Sequence, residues 1–276
     1  MFVGEGRGIL ATSKLLKVDR QLMILDMLTK KGGSLRISEI SKGLEASVVT
    51  VRRDVTDLAR QGLVATTHGG VRLLREGTMY EIQYENKLRE ETEYKENIGR
   101  RATEMIPDGA TVFLDGGTTV GALAHHLFHR EVTLITNALN VANVVAGSKS
   151  VRLIMIGGTF RQTSHTFLGP KAIRALQELR FDIAFMGTEG FDPQRGVEVP
   201  DESDAEFKTA AVQLATEVVL LATASKCNKR RLYRFAEWSD IKTFIVDGEI
   251  DPTVVDEISS RGVSVVWADR PAVSSI

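Results

Sequence analysis

The sequence predicts an α/β protein in two parts: a small helical module with a β wing, then a larger unit built on a mainly parallel sheet. Three observations lead there. Residues 48–61 have the period of a helix whose outward face carries arginines, and seven β-branched runs alternate with helix-length segments after residue 110. Charge is also split unevenly. Residues 1–76 hold 13 Lys and Arg against 8 Asp and Glu, and residues 77–276 hold 22 against 28, within a net charge of −1. That split fits a basic module for a polyanion joined to an acidic one with another task. With 43% hydrophobic residues in 276, disorder and collagen-like architecture are excluded.

Residues 1–17 show no period and read as a leader. From Val18 a helix is expected, with Leu22, Leu25, Met27 and Leu28 inward, and Lys30-Lys31-Gly32-Gly33 ends it with C-terminal cations and a glycine stop. A second helix from about Ser38 uses Ile37, Ile40 and Leu44. After the Glu45-Ala46 turn, Ser47 can cap a third, with Val48, Val51, Val55 and Leu58 inward and Gly62 beyond its end. Two short helices around a tight turn, the second bearing outward arginines, make a helix-turn-helix at about 35–54. Residues 63–73 then read as two strands around His68-Gly69-Gly70, the wing, which bounds this domain at 18–73. The positions assigned to DNA are Ser47, Val49, Thr50, Arg52, Arg53, Thr56, Arg60 and His68.

Residues 77–100 are densely charged and predict a solvated helical connector, bounded as 74–93, ahead of an α/β domain at 94–276. Its strands are expected at 111–114, 132–136, 151–156, 182–187, 218–222, 242–246 and 264–267. Strands alternating with helices imply right-handed crossovers and a mainly parallel, Rossmann-like sheet covered on both faces.

Ligands of such sheets bind beyond the carboxyl ends of the strands. Those ends carry Asp115-Gly116-Gly117-Thr118-Thr119, Thr136-Asn137, Gly157-Gly158-Thr159, Gly187-Thr188-Glu189-Gly190 and Ser225-Lys226. Gly116 and Gly117 let the backbone approach a ligand, and the helix opened by Thr118 and Thr119 presents free N–H groups that favour a phosphate. Asp115 could accept from sugar hydroxyls, and Lys226 could add a point charge. A purely structural reading competes at each loop, because strand-to-helix turns use Gly and Thr anyway. The Glu202, Asp204, Glu206 and Lys208 cluster reads either as dipole-matched surface charge or as ligand-binding, and Glu206 and Lys208 are carried forward as effector residues. His125, His126 and His129 lack the partners of a metal site. No serine-hydrolase elbow or Walker loop occurs, and neither a cofactor nor a metal is expected.

The stretch Val51-Arg52-Arg53-Asp54-Val55, Leu58, Gly62-Leu63-Val64 and His68-Gly69-Gly70 closely resembles the winged helix of DeoR-type bacterial transcriptional regulators. Leu114-Asp115-Gly116-Gly117-Thr118-Thr119, Ile135-Thr136-Asn137, Ile156-Gly157-Gly158, Gly169, Phe185-Met186-Gly187 and Ser225-Lys226 follow in the family's order, so the resemblance spans about residues 18–250. It implies a sensor domain similar to ribose-5-phosphate isomerase and glucosamine-6-phosphate deaminase, which binds a phosphorylated sugar or related metabolite. It implies repression of a carbohydrate-catabolism operon more often than activation. Thr223 stands where the family commonly has Asp, Lys87 replaces a frequent arginine, and the leader is longer than usual.

The competing function is an active isomerase or deaminase with a DNA-binding arm. The isomerase relatives carry an Asp-Gly-Ala-Asp-Glu type loop where this chain has Gly187-Thr188-Glu189-Gly190-Phe191-Asp192, which lacks the paired aspartates of a proton shuttle. A winged helix that binds only protein is a third reading, opposed by Arg52, Arg53 and Arg60. Expected partners are double-stranded operator DNA and a second copy of the chain, as a homodimer or homotetramer. The single cysteine, Cys227, and the lack of a signal-like or membrane-spanning run point to the cytoplasm.

Overall fold

The computed structural model describes residues 17–60, 63–67, 69–73 and 87–268. Leader residues 1–16, the Gly62 stop, His68 and connector residues 74–86 lie outside the described residues. The chain divides into two compact units, Met1–Gln83 and Tyr84–Ile276. Among the described residues no helix is long and apolar enough to cross a membrane.

In the first unit α1 (Lys17–Lys30), α2 (Ile37–Gly43) and α3 (Val48–Arg60) enclose one core with a small sheet. Its strands β1 (Ser34–Arg36), β2 (Val64–Thr67) and β3 (Gly70–Leu73) pair antiparallel in the order β1-β3-β2. The wing pairs as expected, whereas β1 was not legible: three residues are too few to show a period. Two inward positions are corrected. Val48 is 42% exposed, and Asp54 is buried in its stead, since 51, 54, 55 and 58 make the i, i+3, i+4, i+7 face while Val48 stands in the first turn. In α1, Ile24 is buried with Leu25 and Leu28, whereas Leu22 is half-buried. Asp54 is neutralised by Arg20 of α1, whose Nε and Nη2 donate to its two oxygens at 2.8 and 3.2 Å. This paired fork locks α3 against α1.

The described part of the second unit opens with one helical turn at 87–89 and α4 (Thr92–Thr103). From residue 87 the expected solvated connector is corrected. Lys95, Ile98, Gly99 and Ala102 form a buried stripe beneath the charged face. A Cβ added to Gly99 would lie 2.7 Å from the Leu123 nitrogen, so glycine lets α4 sit directly on the backbone of α5 (Thr118–Leu127). Helix α4 belongs to the second compact unit.

The seven anticipated strands make one fully parallel sheet. They are β4 (Thr111–Leu114), β5 (Val132–Thr136), β6 (Val151–Met155), β9 (Phe181–Gly187), β12 (Ala215–Thr223), β14 (Thr243–Asp247) and β15 (Ser264–Trp267). Their order is β15-β14-β12-β9-β4-β5-β6. One face is covered by α4, α5 and α6 (Leu139–Val145), the other by α7 (Pro170–Gln177), α8 (Glu202–Leu214) and α9 (Pro252–Ser259). Alternate residues feed the two cores: Phe113 packs with Phe181 and Phe207, while Val112 and Leu114 join Leu123 and Leu134. Burial on both faces explains why these strands read as continuous apolar runs.

Two additions to the sheet were missed. A hairpin of β7 (Thr159–Arg161) and β8 (Thr166–Leu168) follows β6, and β10 (Gly190–Asp192), β11 (Gly196–Val199) and β13 (Tyr233–Ala236) form an antiparallel sheet. All are three or four residues long, below the length at which alternation is visible.

Candidate functional site

The strand order reverses direction between β4 and β9, so the connections leaving these two strands part to opposite sides and open a crevice. Asp115 ends β4 and Gly187 ends β9, and the Gly187 N–H donates to Asp115 Oδ2 at 2.9 Å across the switch. Lys208 of α8 donates to the same oxygen and to the Gly187 carbonyl, the latter at 3.1 Å. Asp115, Asp204 and Lys208 are all buried, Asp115 to 1% exposure. Burial works against the Lys208 charge, yet Asp115 and Asp204 hold its pKa above the ordinary lysine value. Burial pushes the Asp204 carboxyl up to about 6, opposed by Lys208 and reinforced by Asp115. Burial thus disfavours the Asp204 charge at the cleft wall.

Asp115, Gly116, Gly117, Thr118, Thr119, Gly187, Glu189, Lys208 and Lys226 all line this cleft. Gly117 caps α5 at φ 108°, a left-handed conformation that side chains disfavour, and Thr118 and Thr119, which open α5, line the cleft. A Cβ on Gly116 would overlap Thr166, which also lines the cleft.

Thr136, Asn137, Gly157, Gly158 and Glu206 do not line it. Thr136 Oγ1 donates to the Leu114 carbonyl at 2.6 Å and Asn137 Nδ2 to the Phe167 carbonyl at 3.1 Å, so both brace neighbouring loops. Gly158 is needed for packing: its Cβ would stand 2.6 Å from the Leu168 carbonyl oxygen. Glu206 is exposed, because Asp204 and Lys208 sit one turn apart on the inward face of α8 and position 206 points away. The i, i+4 spacing of Asp204 and Lys208 was the available signal, and Asp204 is the member that sequence reasoning passed over.

Lys87, Glu90, Glu91 and Lys95 were also missed, hidden in a stretch whose charge alone suggested solvent. Lys87 pairs with Glu189, and Lys95 Nζ donates to the carbonyls of Lys87 and Glu90. Burial, followed by the charge of Lys226, pulls the Lys95 pKa down. Burial also lowers Lys226, which Glu189 opposes and Lys87 reinforces. Thr223, at the position where the resemblance implies Asp, donates to Glu91 Oε2 at 2.7 Å, and Ser225 donates to the same oxygen at 3.0 Å. A threonine thus anchors an acidic residue where a second carboxylate would repel it.

In the first unit Ser47 Oγ accepts from the Thr50 N–H at 3.1 Å and caps α3. Val49, Arg52, Arg53, Thr56 and Arg60 are exposed on one side of that helix, with Thr50 half-buried at its start. Arg60 is tied to Asp57 at 3.3 Å, whereas Arg52 and Arg53 have no ion-pair partner among the described residues.

Residues 20–76 match the DeoR-like helix-turn-helix domain and residues 90–248 the DeoR C terminal sensor domain. A putative aga operon transcriptional repressor of Escherichia coli O157:H7 is 30% identical over 250 residues, covering 90% of this chain and 93% of that protein. The HTH-type transcriptional repressor GlcR of Bacillus subtilis is 32% identical over 254 residues, covering 91% and 96%. A solved ribose 5-phosphate isomerase A from Methanocaldococcus jannaschii overlaps with a TM-score of 0.38 at 17% identity, over 50% of this chain and 56% of that one. The fold assignment rests on the strand order itself. With both units matched in sequence and the winged helix and the switch-point crevice in place, the chain belongs to the DeoR family of transcriptional regulators.

Proposed function

We propose that the protein represses an operon for carbohydrate catabolism and leaves its operator when a phosphorylated sugar or related metabolite fills the cleft at the β4/β9 switch point. The observation that carries this reading is the cleft's polarity. The N-terminus of α5 and three lysines, 87, 95 and 226, suit a phosphate, while Asp204 suits hydroxyls. Relatives named as repressors of the aga operon, the glycerol-3-phosphate regulon and the lactose phosphotransferase system support it. The Gly187 to Asp192 loop lacks the paired aspartates of the Asp-Gly-Ala-Asp-Glu type loop, which favours a regulator over an isomerase or deaminase. A turnover assay with aldose and amino-sugar phosphates separates the two.

Lys226→Ala tests the cleft as sensor, because it removes charge from the cleft without touching α3. The variant should bind operator like the wild type and need at least about tenfold more sugar phosphate for release, since a ligand shifts a population only by its differential affinity for the two states. Release at the wild-type concentration would sink the assignment. Asp115→Ala is a poorer probe, because Asp115 is consumed by Lys208 and the Gly187 N–H.

One winged helix covers a small interface, and operator half-sites lie about 34 Å or a multiple apart. The active species is therefore at least a homodimer. Light scattering that gives a monomer at micromolar concentration, with and without DNA, contradicts this.

A further inference from the structure

Three lysines line the cleft, close enough that Lys226 disfavours the charge of Lys95 and Lys87 disfavours that of both. Among the cleft's carboxylates, which include Glu90, Asp115 and Asp204, Glu91 and Glu189 are held very differently. Glu91 is fixed by the hydroxyls of Thr223 and Ser225 and sits at φ 54°, so it belongs to the wall. Glu189 stands on the loop between Gly187 and Gly190, its side chain is 30% exposed, and its carboxylate meets the Lys87 ammonium. Burial works against its charge, but Lys87, with Lys226 and Arg231, keeps it ionised. It is the cleft carboxylate that stands on a loop and is held by the Lys87 ammonium.

We propose that Glu189 occupies, in the unliganded sensor, the place of the ligand's anionic group, and that a phosphate monoester or similar dianion displaces it from Lys87. This rests on the reading of the cleft as the effector site, and it assigns Glu189 the role of internal competitor instead of ligand contact. A phosphate dianion carries about twice the charge of a carboxylate and presents three acceptor oxygens, enough to engage Lys87, Lys95 and Lys226 together. The exchange acts on a particular part of the chain. Lys95 holds the carbonyls of Lys87 and Glu90, and Lys87 lies four residues past Gln83, where the first unit ends. Any ligand that recruits Lys87 and Lys95 therefore rearranges the hydrogen bonds of residues 87–91, the first described segment of the sensor unit.

The test uses the full chain, with inorganic phosphate as probe at constant ionic strength and calorimetry as readout. Glu189→Gln keeps the shape and removes the competing charge, so it should bind phosphate about tenfold more tightly than wild type. Lys87→Gln should weaken binding, and in its background Glu189→Gln should change affinity less than about twofold, because the displaced partner is gone. Hydrogen exchange across residues 87–95 should change when phosphate is added to wild type and should already be shifted in unliganded Glu189→Gln. If wild type binds phosphate and Glu189→Gln binds equally or less well, the competitor role is overturned while the effector reading stands. If neither protein binds phosphate, and a panel of triose, pentose and hexose monophosphates gives no thermal stabilisation, both fall.

Discussion

Lys208→Met should destabilise the sensor unit by about 3–5 kcal/mol, the range found when one partner of a buried ion pair is removed. Lys208 is 4% exposed and serves Asp115 Oδ2 and the Gly187 carbonyl, which bind the ends of β4 and β9 together. Without it the buried Asp115 carboxylate loses its cationic partner and keeps the Gly187 N–H, with Asp204 close by. Urea denaturation followed by tryptophan fluorescence reads this unit alone, because the chain's two tryptophans, Trp238 and Trp267, both belong to it. The double variant Asp115→Asn with Lys208→Met removes the charge on both sides, so its loss should be smaller than the sum of the single losses. A loss under about 1 kcal/mol for Lys208→Met, or strict additivity, would show that the pair does not hold the switch point together.

Arg52→Ala and Arg53→Ala should each weaken operator binding, by about 1–3 kcal/mol of discrimination if the guanidinium reads a guanine edge. If it grips phosphate instead, affinity for operator and random DNA should fall alike and the salt slope should flatten by about one. Both arginines are exposed on α3 and have no described ion-pair partner, so the loss reports on DNA and not on folding. Arg60 is tied to Asp57, which Lys17 also meets at 2.6 Å, and Arg60→Ala should cost less. Binding curves on operator and scrambled duplexes at several salt concentrations separate the outcomes. Unchanged affinity in both Arg52→Ala and Arg53→Ala would remove α3 from the recognition role.

Patterns that repeat along the chain were legible in the sequence because they act locally. Continuous β-branched runs located all seven sheet strands, the 3.6-residue period located the inward Val51, Val55 and Leu58 of α3, and the glycine-rich ends of β4 and β9 located the cleft. Family resemblance, carried by ordered motifs, reached the regulator class. Pairings between distant residues were not legible, because no local period encodes them. Nothing in Asp54 announces that it is buried on Arg20, and nothing in the charged run 87–100 announces that Lys95 and Gly99 lie inward against α5. The same limit separated the strand ends: Gly116 and Gly187 meet at the switch point, while Thr136, Asn137 and Gly158 serve loop packing, a difference set by strand order. Glycine and threonine suit a tight turn whether or not a ligand lies beyond it, so only the tertiary arrangement distinguishes the two uses.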